Sequence, residues 1–264
     1  MPSQLKTSEK LASRLFAVQT PRVLYLSIPK CGCTFVKNVL WFLENGSFHP
    51  TPKRVHDDDR SFKRASDLYA KFESIHLEPM AFTVVRNPID RFMSLYFDKI
   101  IGPGQKNYVP LASLLAERRG LCLTPMTAKD HQYNLNVLID WIQENLETAV
   151  NLPREAHWTP QMYRRNVMAA FNLKMLTVEK LSLGLNMLCL DAVPSINDIV
   201  NNAERNTSFR QTRKSDILTQ AIRKKINAVY SDDRHVYQKA REKWEFTELG
   251  NEPIHIPRFN ELMG

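Results

Sequence analysis

The sequence predicts an α/β fold, because two short apolar segments are each followed by a turn and then by a helical pattern. Residues 23–28 and 81–85 have the length and the β-branched or aromatic content of buried strands. In folds built from such units, ligands bind at the carboxyl ends of the strands. The 264 residues, 43% of them hydrophobic, are enough for one sizeable domain. We expect this domain over residues 21–264, after an extension over residues 1–20 that forms a helix or a loose segment.

An anion site is expected in the turn at residues 29–34, which reads PKCGCT. Apolar residues spaced i, i+3, i+4 and i+7 from Val36 predict a helix directly after the turn, and an Asn-Gly pair predicts its end. The N–H groups at a helix N-terminus bind phosphate or sulfate readily. Gly32 lets the backbone approach a ligand, and Lys30 and Lys37 add positive charge.

The turn differs from the common nucleotide-binding loops. A Walker A loop has its lysine directly after a glycine, whereas Lys30 precedes Gly32. A dinucleotide fingerprint needs three glycines, and this stretch contains one.

A second ligand-binding turn is expected after residues 81–85. Arg86 stands at the end of that predicted strand, and an Asn-Pro pair after it predicts the start of a helix that carries Ser94. An arginine fork with a hydroxyl group suits a phosphate monoester. For Arg91, a structural ion pair with Asp90 is an alternative that stays open.

Both turns resemble the signature of the sulfotransferases. The order Pro-Lys-x-Gly-x-Thr from residue 29 resembles their 5′-phosphosulfate loop, and Val-Arg-Asn-Pro-x-x-Arg-x-x-Ser-x-Tyr from residue 85 closely resembles their 3′-phosphate loop. These enzymes move a sulfuryl group from 3′-phosphoadenosine 5′-phosphosulfate (PAPS) to an acceptor. The resemblance extends from about Val23 to Tyr237 and is dense at the two loops. It implies a three-layer α/β/α fold with a central, mainly parallel sheet, like that of the nucleotide kinases.

The resemblance also implies a donor site. Lys30 would stabilise the charge that develops on the bridging oxygen as the nucleotide leaves. The implied donor-binding residues are Lys30, Cys31, Gly32, Cys33, Thr34, Phe35, Arg86, Ser94, Asn206, Ser208 and Arg213.

A histidine is the expected catalytic base. Similar enzymes place it between the two loops, where this chain has His49, His56 and His76, and Val-His at residue 56 matches their pattern best. A second candidate is His157, in the run HWTPQ at residues 157–161. This run resembles a motif of carbohydrate sulfotransferases of the Golgi type and their bacterial relatives.

The same run predicts the acceptor. An aromatic face can stack on the C–H groups of a sugar while an imidazole reaches a hydroxyl group. A buried Trp158 with a hydrogen-bonded His157 explains the run equally well, so this alternative stays open. The acceptor implied is a carbohydrate or glycoconjugate, which includes acidic ones.

Net charge and cysteine content further restrict the ligands and the kinds of site that the sequence predicts. The 36 basic and 28 acidic residues give a net charge of +8, which favours polyanions such as nucleotides, acidic glycans or nucleic acid. Together with the resemblance, this indicates a nucleotide donor and a glycan rather than nucleic acid. Four cysteines do not make a disulfide framework, and none has zinc-site spacing, so no metal is expected.

Hydropathy predicts no signal peptide and no membrane span. We therefore expect a cytoplasmic protein, related to bacterial rather than Golgi enzymes; the oligomeric state is not predicted.

Two alternatives come from other classes. One is an ATP-dependent kinase on a similar sheet, against which the order of Lys30 and Gly32 argues. The other is a non-catalytic polyanion-binding protein, which only the net charge suggests.

Overall fold

The computed structural model describes residues 11–19, 21–68, 80–102, 109–149, 152–189, 193, 195–203, 214–249 and 255–264. Asn206, Ser208, Arg213 and His76, named above from the sequence, lie outside the described residues. The chain forms two compact units. The first comprises Met1–Arg86, Gln161–Asn206 and Val236–Gly264, and the second comprises Asn87–Pro160 and Thr207–His235.

A central sheet organises the first unit. Its strands in the described part of the chain are β1 Leu15–Val18, β2 Val23–Leu26, β3 Lys63–Arg64, β4 Ala81–Val85 and β5 Lys174–Thr177. The spatial order is β3-β1-β2-β4-β5. The pairs β2–β4 and β4–β5 are parallel, and β1 is antiparallel to both of its neighbours. Four of these five strands therefore share one direction, which confirms the predicted α/β class with a mainly parallel central sheet.

The first strand lies within residues 1–20, where the sequence predicts a helix or a loose extension. Its four residues are all buried, and Leu15 pairs with Leu26 while Val18 pairs with Val23. A short apolar segment of this kind gains more from burial against a neighbouring strand than from a helix on the surface. Residues 15–18 therefore belong to the sheet; the domain boundary at residue 21 stays a prediction.

The described helices follow in chain order. They are α1 Cys33–Asn45, α2 Ala65–Leu68, α3 Pro88–Leu95, α4 Val109–Arg119, α5 Ala128–Thr148, α6 Arg165–Ala170, α7 Leu181–Cys189, α8 Ile196–Asn202, α9 Lys214–Ile217, α10 Gln220–Val229, α11 Ser231–Leu249 and α12 Phe259–Met263. A π-helical turn, Tyr96–Ile100, continues α3, and 3₁₀ turns span Pro52–Arg54, Asp59–Ser61, Gln161–Arg164 and Val178–Lys180. None of the described helices combines the length and the apolar character needed to cross a membrane.

Each unit has its own apolar core. In the first, the rings of Tyr25 on β2 and Phe82 on β4 stack with centroids 5.1 Å apart. In the second, α10 packs against α3 and α5. There Trp141 and Trp158 meet edge to face at 5.3 Å. Apolar packing of this kind fixes the strand ends and helix ends that carry the polar groups described next.

Candidate functional site

The predicted anion-binding turn lies in the first unit, at the carboxyl end of β2. We call residues 29–34 the cradle loop. Lys30 and Gly32 both have left-handed backbone conformations, with φ of 67° and 75°. Gly32 precedes the first residue of α1, no side chain caps that helix, and its first turn contains no acidic residue. The N-terminal end of α1 therefore meets the requirements for binding an anion.

Arg86 directly follows β4 in the first unit. Its Nη1 donates to the carbonyl oxygen of Lys30 at 2.9 Å. Because β2 and β4 are parallel neighbours, their carboxyl ends lie at the same edge of the sheet. The structure therefore brings Arg86 together with the cradle loop. The arginine fixes the backbone of the loop with one of its five N–H donors.

Gln161 joins the same two segments. Its Oε1 accepts from the backbone N–H of Arg86 at 3.0 Å and from Sγ of Cys31 at 3.2 Å. Its Nε2 donates to the carbonyl oxygen of Arg86 at 2.9 Å. The side chain is buried, with 2% of its surface exposed. The sequence predicts an acceptor role for the HWTPQ run but not this contact, because only the fold shows that the last residue of the run reaches the cradle loop.

His56, one of the two candidate bases named from the sequence, also lies at the cradle loop. Its Nε2 is 2.9 Å from Oγ1 of Thr34 and 3.6 Å from Sγ of Cys33. Its Nδ1 is 2.9 Å from Nζ of Lys37. The side chain is 38% exposed, so it is open to solvent while it contacts the first turn of α1.

Lys37 contacts other side chains, whereas the sequence predicts that it adds its positive charge to the anion site. Its side chain is 3% exposed, and its ammonium group pairs with the carboxylate of Asp59 and lies 4.4 Å from the centre of the Phe16 ring. Burial lowers the pKa of Lys37, and the hydrogen bond to Asp59 opposes that shift. The charge of Lys37 therefore acts on Asp59 and His56 rather than directly on a ligand in the loop.

The other residues predicted at the cradle loop and the start of α1 can offer an anion mainly their backbone N–H groups. Cys31 and Phe35 are buried, whereas Cys33 is partly exposed.

His49, the other described histidine of the segment between the two loops, is held by Asp58 at 2.7 Å and by the backbone N–H of Thr51 at 3.0 Å. It has the contacts of a structural residue.

In the second unit, α3 begins as predicted. Oδ1 of Asn87 accepts from the backbone N–H of Ile89 at 2.9 Å, and a proline follows at the first helical position. Ser94 is buried in this helix and is 5% exposed. The guanidinium of Arg91 donates to the carbonyl oxygens of Thr159 and Ala156, at 3.0 and 2.9 Å. Arg91 thereby holds the HWTPQ segment.

The pair at the centre of that segment, His157 and Trp158, has two different environments. Nδ1 of His157 lies 2.8 Å from a carboxylate oxygen of Glu155. Trp158 is buried, and its Nε1 donates to Oδ1 of Asn145 at 2.8 Å. Of the two interpretations left open by the sequence, the structure supports a buried Trp158 with a hydrogen-bonded His157, because the Trp158 ring is packed in the core and His157 remains partly exposed.

A family model described as the sulfotransferase family matches residues 13–240 of the chain. The chain belongs to the sulfotransferase family.

This membership confirms the family predicted from the two loops, and it covers both compact units up to α11. Neither the comparison with curated proteins nor the comparison with solved structures found a match. As an enzyme of this family, the chain transfers a sulfuryl group to an acceptor. In the part of the chain that the structure describes, no three His, Cys, Asp or Glu side chains are grouped as a metal site.

Proposed function

We propose that this sulfotransferase moves the sulfuryl group of PAPS to a hydroxyl group of a carbohydrate acceptor. The observation that carries the proposal is the cradle loop itself: two left-handed residues lead into a helix whose N-terminus has no side-chain cap. The guanidinium of Arg86 and the amide of Gln161 fix this loop from the neighbouring strand end.

The residues present fit the donor nucleotide. The 5′-phosphosulfate is an anion, and the loop offers it backbone N–H groups, the helix dipole and the Thr34 hydroxyl. The absence of an acidic residue in the first turn of α1 removes the repulsion that a phosphate would otherwise meet. The other donor-binding residues that the resemblance implies, Arg86 and Ser94 for the 3′-phosphate and Asn206, Ser208 and Arg213 as further contacts, stay part of the proposal.

The chemistry proposed is an in-line displacement, electronically similar to phosphoryl transfer. PAPS supplies the sulfuryl group and leaves as 3′-phosphoadenosine 5′-phosphate (PAP). Lys30 stabilises the negative charge that collects on the bridging oxygen as the bond between sulfur and that oxygen breaks. The acceptor oxygen forms the new bond to sulfur, and its proton passes to a histidine, His56 or His157.

The carbohydrate acceptor is supported by the similarity of the HWTPQ run to carbohydrate sulfotransferases and by the net charge of +8, which suits acidic glycans. In support of His157 as the base, the carboxylate of Glu155 lies at Nδ1 and favours the tautomer in which Nε2 carries the lone pair that a base needs.

The first test is thermal stabilisation by PAP, ADP and ATP at equal concentration. A ligand present at 100 times its dissociation constant adds about 2.7 kcal/mol to the free energy of unfolding. For a chain of this size this raises the melting temperature by several degrees. We expect a shift with PAP alone. A shift with ATP but not PAP would favour a kinase, and no shift with any nucleotide would favour a polyanion-binding protein. A positive result leads to transfer assays with labelled PAPS and a panel of neutral and acidic glycans.

A further inference from the structure

Four polar side chains form a continuous row in the first unit, from the carboxylate of Asp59 to the hydroxyl of Thr34. The ammonium group of Lys37 pairs with Asp59 and lies 2.9 Å from Nδ1 of His56. On the other side of the same ring, Nε2 lies 2.9 Å from Oγ1 of Thr34. The row therefore ends inside the cradle loop, at a residue proposed to bind the donor.

The first members of the row fix the direction of every hydrogen bond after them. Asp59 is the anionic partner of Lys37, and an ammonium group has donors but no acceptor. Lys37 therefore donates to Nδ1 of His56, because a hydrogen on Nδ1 would face the ammonium hydrogens across 2.9 Å. A neutral imidazole whose Nδ1 accepts carries its proton on Nε2. Nε2 then donates to the hydroxyl oxygen of Thr34.

The hydroxyl of Thr34 has one proton of its own. When its oxygen accepts from His56, that proton has to be donated to a different acceptor. We propose that Lys37 and His56 are positioning residues that direct the Thr34 hydroxyl proton towards an oxygen of the donor's 5′-phosphosulfate. This inference rests on the proposed function, since it takes the cradle loop as the donor site.

The assignment separates His56 from the role of base. A general base presents a lone pair to the hydroxyl group that it deprotonates. In this row Nε2 carries the proton, and Nδ1 is occupied by Lys37. Two further polar atoms near the ring are farther away: Sγ of Cys33 is 3.6 Å from Nε2, and Oδ1 of Asp59 is 3.9 Å from Nδ1. His56 is therefore suited to hold Thr34.

The position of the proton can be measured directly in the unaltered protein. Long-range ¹H–¹⁵N correlation spectra of ¹⁵N-histidine-labelled protein at neutral pH distinguish the two tautomers. We expect His56, identified by the signals missing from His56→Gln, to have a protonated Nε2 and an unprotonated Nδ1. In Lys37→Met, His56 should no longer populate this single tautomer. A tautomer with the proton on Nδ1 in the unaltered protein would overturn the inference.

Nucleotide affinity gives the functional test. His56→Leu and Thr34→Val should each weaken PAP binding on the order of 10-fold, the effect of one hydrogen bond to a charged group. Binding of adenosine 3′-phosphate, which lacks the 5′-phosphate, should be unchanged in both variants. In a Thr34→Val background, His56→Leu should cause no further loss, because the two residues act as a unit. His56→Gln should recover most of the lost affinity, since its amide N–H can replace Nε2–H.

Turnover separates positioning from base catalysis. His56→Leu should raise the KM for PAPS more than it lowers kcat. The same two constants are measured for His157→Gln, the variant of the other predicted base, as the comparison. Additive losses in the double variant, or unchanged PAP affinity with a loss of turnover in both His56 variants, would overturn the inference. If the unaltered protein binds no PAP, the proposed function fails instead, and the spectra still decide the proton position.

Discussion

Gln161 connects two loops with a single buried side chain. It satisfies the backbone N–H and the carbonyl oxygen of Arg86 and also accepts from Cys31. An amide is required for this pattern, because one end of the side chain has to accept while the other end donates. Gln161 is thus a determinant of the loop geometry even though it lies far from the loop in the sequence.

Gln161→Glu should destabilise the protein by about 2–4 kcal/mol, because a buried donor is replaced by an acceptor that faces the Arg86 carbonyl oxygen. It should also weaken PAP binding by placing negative charge at the cradle loop. Urea unfolding and PAP titration measure the two effects. Gln143→Glu makes the same change at an exposed position of α5 and should alter neither quantity. Equal behaviour of the two variants would contradict the role given to Gln161.

Lys30 is the residue to which the proposal gives the largest effect on rate. Lys30→Ala should lower kcat on the order of 10²–10³-fold, as the loss of one group that stabilises developing charge does. Sulfuryl transfer to a glycan acceptor under saturating PAPS is the assay. Lys129→Ala, which removes an exposed lysine at the start of α5, should retain full activity. Near-normal turnover of Lys30→Ala would show that the charge on the bridging oxygen is stabilised elsewhere.

At the scale of elements, α1 is bounded by two glycines with left-handed backbones. Gly32 precedes its N-terminus with a φ of 75°, and Gly46 follows its C-terminus with a φ of 70°. Their surroundings differ. A Cβ on Gly32 would lie 2.9 Å from Cδ2 of Leu181, while a Cβ on Gly46 would meet nothing within 4 Å. Gly46 is therefore a matched control position for a substitution at Gly32 in the cradle loop.

Gly46→Ala should reduce stability by about 1–2 kcal/mol, the cost of a left-handed conformation for a residue with a Cβ. Gly32→Ala should cost at least as much, because Leu181 also has to move. The decisive difference is in PAP affinity, which only Gly32→Ala should reduce. Thermal unfolding and titration of both variants measure this. A similar loss of PAP affinity in Gly46→Ala would mean that the effect spreads through α1 rather than arising in the loop.

Much of the element pattern near the site could be predicted from the sequence. The strand at 81–85 and the end of α1 at Asn45 agree with the structure, because a continuous apolar run and turn residues act locally. The strand Leu15–Val18 could not be predicted in this way. Four residues are too few for a periodic signal, and their conformation depends on pairing with β2.

For the site, the sequence predicted residue types but not their partners. The Lys-x-Gly-x-Thr order and Arg86 indicated the anion-binding loop. The contacts of His56 with Thr34 and of Lys37 with Asp59 depend on the path of residues 48–62, which has no periodic pattern. The choice between a sugar-stacking and a buried Trp158 stays open in the sequence for a related reason: exposure is a property of the folded unit, and the Trp158 ring is packed on Trp141.

At the scale of the whole molecule, one buried histidine links stability to pH. Nδ1 of His131 lies 2.9 Å from the hydroxyl of Tyr96, and burial lowers its pKa below the usual 6.5, while the nearby Asp130 opposes the shift. Between the two pKa values the unfolded chain binds more protons than the folded protein. This contribution to stability is therefore complete above about pH 6.5 and is lost as the pH falls through the folded-state pKa.

We accordingly expect the free energy of unfolding to decrease between pH 7 and pH 5. Urea unfolding at fixed ionic strength measures it. His131→Gln should flatten the dependence, whereas His235→Gln, at an exposed position of α11, should leave the slope as it is. An unaltered slope in His131→Gln would assign the pH dependence to other groups.

The strand order has a consequence for how the chain folds. The antiparallel pair β1–β2 closes over a short connection, so it can form early. The edge that bears the cradle loop is complete only when β5, which begins at Lys174, joins β4, which ends at Val85. Strand pairing across so long a connection is a non-local contact, and such contacts form slowly. The end of the sheet proposed to bind the donor should therefore be the last part of the sheet to form, after the β1–β2 hairpin is already in place.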